Sequence, residues 1–122
     1  MNHALELDGD ACPGVLVARA SGDVDMAATG ALQAELQAAV ARQAARCLVV
    51  DLEPVEYLDS SGIELLFRLH GALAADGVEL IVVAPDGSRA ARLLSLVALT
   101  DIGEVCDSLA GALDRCRERE PG

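Results

Sequence analysis

The sequence predicts an α/β fold: one domain with a mostly parallel, mixed sheet of four to five strands and about four helices. Three observations carry this. Short apolar, β-branched runs alternate with helical periods, as in a sheet covered by helices on both faces. The boundaries between them carry caps and turn residues at the expected offsets. The 122 residues suffice for a single core without disulfide or metal staples.

Leu5 and Leu7, a turn through Asp8-Gly9-Asp10, and Val15-Leu16-Val17 read as two strands, with an irregular loop at 11–14. Asp23 or Asp25 can cap a helix to about Gln43, with Leu32, Leu36 and Val40 on one stripe. Cys47-Leu48-Val49-Val50-Asp51-Leu52 is a buried-strand run, followed by an acidic turn. From Ile63 the apolar period becomes Ile63, Leu66, Leu69, Leu73, and Asp76-Gly77 ends that helix. Residues 79–84 form the next strand, stopped by Pro85, and Ser88 caps a helix to about Val97. A short strand lies near 103–106. Asp107 starts a last helix with Leu109, Leu113 and Cys116 on one face, and residues 117–122 are a charged tail expected to fray.

The junction Tyr57-Leu58-Asp59-Ser60-Ser61-Gly62-Ile63-Glu64 sets two hydroxyls at the mouth of a helix. Ser61 and Glu64 have the spacing of a capping box, which would occupy the Ser61 hydroxyl with the backbone N–H of Glu64. Ser60 then lies one residue outside the helix with its hydroxyl unclaimed, where anionic groups are favoured. The plain alternative is that both are ordinary turn and cap residues.

Leu58-Asp59-Ser60-Ser61-Gly62-Ile63 resembles the phosphorylation motif of STAS domains that act as bacterial anti-sigma factor antagonists, and Ser21-Gly22-Asp23-Val24-Asp25 resembles the motif before their first helix. The resemblance runs from roughly Val15 to the last helix and implies a single STAS domain over residues 1–122. It implies that Ser60 is the phosphoacceptor and that Asp25 lines the site. It also implies a partner that is both anti-sigma factor and ATP-dependent serine kinase, with a separate Ser/Thr phosphatase. The expected contact surface comprises Asp23, Asp25, Asp59, Ser60, Ser61, Gly62 and Glu64. The sequence departs from the family pattern at Glu64, often a small residue there, and at Val97-Ala98, where a Ser-Gly-like turn is common.

Acidic residues outnumber basic ones 20 to 9, for a formal charge of -11, which disfavours nucleic acid and anionic membranes. No run approaches the ~20 apolar residues of a membrane span, and Met1-Asn2-His3-Ala4-Leu5-Glu6 lacks signal-peptide character, so a cytoplasmic location is expected. With one Phe, one Tyr and no Trp, the core must be aliphatic.

Cys12, Cys47, Cys106 and Cys116 contain no C-x-x-C pair, and the expectation is no metal and no cofactor. Cys47 reads as core, while Cys106 and Cys116 are candidates for oxidation. No G-x-S-x-G, H-E-x-x-H or P-loop occurs. His70 would stand about 15 Å along the helix from Ser60, beyond reach as a general base, so no enzyme activity is expected. Two other classes stay open: a non-switching scaffold or sensor module that binds a protein or small ligand, and a small hydrolase using Ser60.

Overall fold

In the computed structural model, which describes residues 3–96 and 103–118, ten elements follow the expected alternation. They are β1 (His3–Cys12), β2 (Val15–Val24), α1 (Met26–Gln43), β3 (Cys47–Asp51), β4 (Val55–Leu58), α2 (Ser60–Ala75), β5 (Glu79–Val83), α3 (Arg89–Leu96), β6 (Glu104–Cys106) and α4 (Leu109–Glu118). The sheet runs β1-β2-β3-β5-β6, with β4 paired to β2. β1 and β2 form an antiparallel hairpin, and the other pairings are parallel. The sheet thus has six strands, one more than expected.

The additional strand comes from the stretch read as an acidic turn. β2 pairs with β3 over Val15 to Arg19, then with β4 over Gly22 to Val24. β4 therefore continues the line of β3 after an interruption at Pro54, which lacks the N–H a ladder needs. At the first hairpin the turn falls at Pro13-Gly14, where Gly14 has φ 74°. Asp8-Gly9-Asp10 instead lies inside β1 at a register irregularity between Asp8 and Cys12.

Two clusters of apolar side chains lie on opposite faces of the sheet. The larger contains Leu16, Leu48, Val50, Leu80 and Val82 with Leu32, Leu36 and Val40 of α1, Ile63, Leu66, Leu69 and Leu73 of α2, and Ala90 and Leu94 of α3. The smaller joins Cys12, Val15, Val17, Cys47, Val49, Ile81 and Val83 to Ala112 and Cys116 of α4. Strand side chains alternate between faces, so one apolar run serves both clusters. Three helices cover one face and the short α4 covers the other.

Ser88 caps α3, its hydroxyl accepting from the Ala91 N–H at 3.1 Å. At α4 the cap is Ser108, which accepts from the Gly111 N–H at 3.0 Å, and not Asp107. Asp107 lies one residue too far from the first turn to reach that donor. Arg117 and Glu118 belong to α4, whereas 119–122 and Val97-Ala98 lie outside the described residues.

One buried carboxylate ties the sheet to the segment that follows. Asp51, 1% exposed at the end of β3, receives Arg19 Nε on Oδ2 at 3.3 Å and the Glu53 N–H on Oδ1 at 3.0 Å. It thereby holds the turn that leads into β4 and α2.

Candidate functional site

Two strand-to-helix crossovers lie side by side at the C-terminal ends of β2 and β4. The register places Asp23 against Tyr57 and Val24 against Leu58, so the next residues, Asp25 and Asp59, leave neighbouring strands together. Each is an N-cap. The Asp25 carboxylate accepts from the Ala28 N–H at 3.2 Å and opens α1; the Asp59 carboxylate accepts from the Ser61 N–H at 2.9 Å and opens α2.

Asp59, not Ser61, is therefore the cap of α2, and the Ser61–Glu64 capping box is not formed. Asp59 has extended backbone (φ -122°, ψ -169°), and its carboxylate takes the orphan N–H groups. The helix starts one residue earlier as a result. Ser61 keeps a local partner by another route, since its hydroxyl donates to Asp59 Oδ1. Glu64, exposed one turn on, pairs with Arg68 at 3.5 Å.

Ser60 is the first residue of α2 and is exposed. Among the described residues its hydroxyl makes no hydrogen bond, in contrast to the engaged hydroxyl of Ser61. Asp23 is half-buried in the β2–β4 ladder, so it supports the strand pairing and is not a cap. Gly62, expected on the contact surface, is buried. A Cβ there would collide with Leu58 Cδ1 and meet Val24 Cγ1 at 3.4 Å, so the glycine lets α2 approach β2 and β4. Gly62→Ala sets an overpacking cost of about 1–3 kcal/mol against a helix-propensity gain of about 1 kcal/mol, a net loss of ~1 kcal/mol readable by chemical denaturation.

The electrostatics follow from this arrangement. Hydrogen bonding by the Ser61 hydroxyl, helped by the Ser61 and Gly62 N–H groups and by Tyr57, holds the Asp59 carboxyl below its usual value of 3.8. A pKa that is lower in the folded chain stabilises the fold above the unfolded value and ceases to do so as pH falls through the folded value. Asp59→Ala should therefore cost about 1 kcal/mol near neutrality, and the deficit should shrink as pH falls from 3.8 through the lower folded value. Paired denaturation curves across this range read this directly. The Tyr57 hydroxyl, 3.4 Å from Asp59 Oδ2, is pushed up by the Asp59 charge, then by burial, with Asp25 adding to the rise and Arg89 opposing it.

Three exposed apolar side chains that sequence reasoning missed lie on the elements of the two crossovers: Met26 (79% exposed) next to the Asp25 cap of α1, Tyr57 (43%) in β4 and Phe67 (36%) on α2. Phe67 lies seven residues after Ser60, on the helical face that also carries Glu64. The chain has one Tyr and one Phe, and both are exposed on these elements. That scarcity was the available signal. His70, ten residues along α2 and half-buried, is not brought to Ser60. Among the described residues no group of three His, Cys, Asp or Glu side chains could hold a metal ion, and no helix is long and apolar enough to cross a membrane.

The sequence matches the STAS domain over residues 8–112. The chain belongs to the STAS domain family. It is 26% identical over 113 residues to an anti-sigma F factor antagonist of Paenibacillus polymyxa, covering 93% of this chain and 94% of that one. The crystal structure of an anti-sigma factor antagonist from Mycobacterium paratuberculosis superimposes with a TM-score of 0.80 at 28% identity, over 95% of each chain. The phosphorylated form of the Bacillus cell fate determinant SpoIIAA shares the fold, with a TM-score of 0.65 at 22% identity over 93% of this chain and 100% of that one. The STAS assignment places the paired crossovers of β2 and β4 in a fold shared by anti-sigma factor antagonists.

Proposed function

We propose that this STAS domain is an anti-sigma factor antagonist switched by phosphorylation of Ser60. Unphosphorylated, the surface made by Asp25, Ser60 and the outer face of α2 docks on an anti-sigma factor and releases a sigma factor. The partner is also the serine kinase that modifies Ser60 with ATP, and a Ser/Thr phosphatase resets the switch. The setting is cytoplasmic, and the domain itself binds rather than catalyses.

One observation carries this reading: at the mouth of α2 the Ser61 hydroxyl is held by Asp59 while the exposed Ser60 hydroxyl is not. Met26, Tyr57 and Phe67 supply the apolar anchors of an interface, with Asp25, Asp59 and Glu64 as its acidic fringe. The matching partner surface is basic and carries apolar pockets. Incubation with the cognate kinase and ATP should add one phosphate at Ser60. Phosphate on Ser61 instead, or on neither, would overturn the assignment.

The apolar cavity beside Gly62 holds about 20 Å³, room for roughly one water. The scaffold or sensor alternative, in its small-ligand form, would therefore draw on surface clefts such as the one of about 410 Å³ lined by Ala84, Leu94, Ser95 and Val105. Its protein-binding form predicts that Ser60→Asp leaves partner binding untouched.

A further inference from the structure

All four cysteines fall on the sheet face that α4 covers, and two of them touch. Cys47 Sγ in β3 and Cys116 Sγ in α4 lie 3.0 Å apart, fully buried, although 69 positions separate them in sequence. Cys12 belongs to the same cluster and Cys106 packs against its edge. We infer that Cys47 and Cys116 are a modification site, a dithiol that a small peroxide converts to a disulfide linking α4 to the middle of the sheet.

The position of α4 explains how buried thiols would be reached. This ten-residue helix fully buries only Ala112 and Cys116 and is tied to β6 by Arg115 and Glu104 at 2.8 Å. An element with so few buried contacts opens locally at low cost. While closed, the pair is inert: hydrogen bonding to Cys116 and then burial push the Cys47 thiol up, disfavouring the reactive thiolate. On opening, the Cys116 thiolate attacks hydrogen peroxide, the O–O bond breaks, and a sulfenic acid forms as hydroxide leaves with the thiol proton as water. On reclosure Cys47 attacks that sulfur, the S–O bond breaks, and a second water leaves. In sum, two thiols and one peroxide give one disulfide and two waters.

The test uses the whole chain, treated with hydrogen peroxide, unfolded, alkylated and digested. Titratable thiols should fall from the four of the untreated protein to two, with a peptide linking 47 to 116 that a reductant releases. Amide exchange within α4 should slow after oxidation, and a Cys116→Ala chain should form no such link. Retention of all four thiols, or a link that maps to Cys12 or Cys106, would overturn the inference. The wild-type mapping decides the matter even if Cys116→Ala does not fold.

Discussion

Ser60→Asp is expected to weaken binding to the anti-sigma factor by at least about tenfold, and a phosphate at Ser60 by about a thousandfold, with little change in stability. Two effects of one charge compete. A phosphate brings about -1.5 to -2 charge units to the N-terminus of α2, where the helix favours it by about 0.3–1 kcal/mol. Asp59, Asp25 and Glu64 already crowd that end with carboxylates, which offsets part of the gain. Within an interface, like-charge contact or poor desolvation costs several kcal/mol, and about 4 kcal/mol is a thousandfold in affinity. The interface effect is the larger, so the partner leaves and the fold stays. Calorimetric titration against the anti-sigma factor, paired with a thermal melt, separates the two. Equal affinity of wild type and Ser60→Asp would remove the switch from the proposal. Ser60→Ala, which adds no charge, should bind as wild type and accept no phosphate.

The second large effect lies away from the site. Arg19→Ala should destabilise the domain by about 3 kcal/mol, the lower end of what removing one partner of a buried pair costs. The asymmetry of the pair is the reason. The Arg19 side chain is 46% exposed and that of Asp51 only 2%, so the arginine loses little but strands a carboxylate in the interior. The Glu53 N–H remains on Asp51 and limits the loss. Asp51→Asn in the same chain should recover part of the stability, since the amide needs no counter-charge. Urea denaturation of the three variants measures this; a loss below about 1 kcal/mol would mark an ordinary surface ion pair. Because Asp51 holds the turn into β4, amide exchange in β4 should also quicken.

Local signals carried much of the fold. The helix stripe Leu32, Leu36, Val40 and the strand runs beginning at Cys47 and Glu79 are continuous and periodic, so their elements fall where the pattern places them. β4 was not legible. Val55-Glu56-Tyr57-Leu58 is four residues with two exposed, and it is a strand only because β2 extends to Val24 and offers it a partner. That pairing is long-range information. The cap of α2 was misread for a local reason: Asp59 and Ser61 both suit an N-cap, and the carboxylate took the place.

At the site, the start of α1 at Asp25 was legible and that of α2 fell one residue earlier than read, so Ser60 lies inside the helix and not outside it. The exposure of Met26, Tyr57 and Phe67 was not legible, since apolar side chains are assigned to the interior by default. The meeting of Cys47 and Cys116 leaves no local trace, as it depends on α4 folding back across the sheet.

That folding back bears on how the domain is born. Every strand from β1 to β5 precedes α4 in synthesis, so a nascent chain can pair its central strands before the helix that roofs Val17, Val49 and Ile81 has been translated. Until residues 109–118 emerge, that greasy strip stands open to chaperones and to other growing chains. A frameshift or stop codon shortly before Leu109 would spare the Ser60 surface and still yield a protein prone to clump.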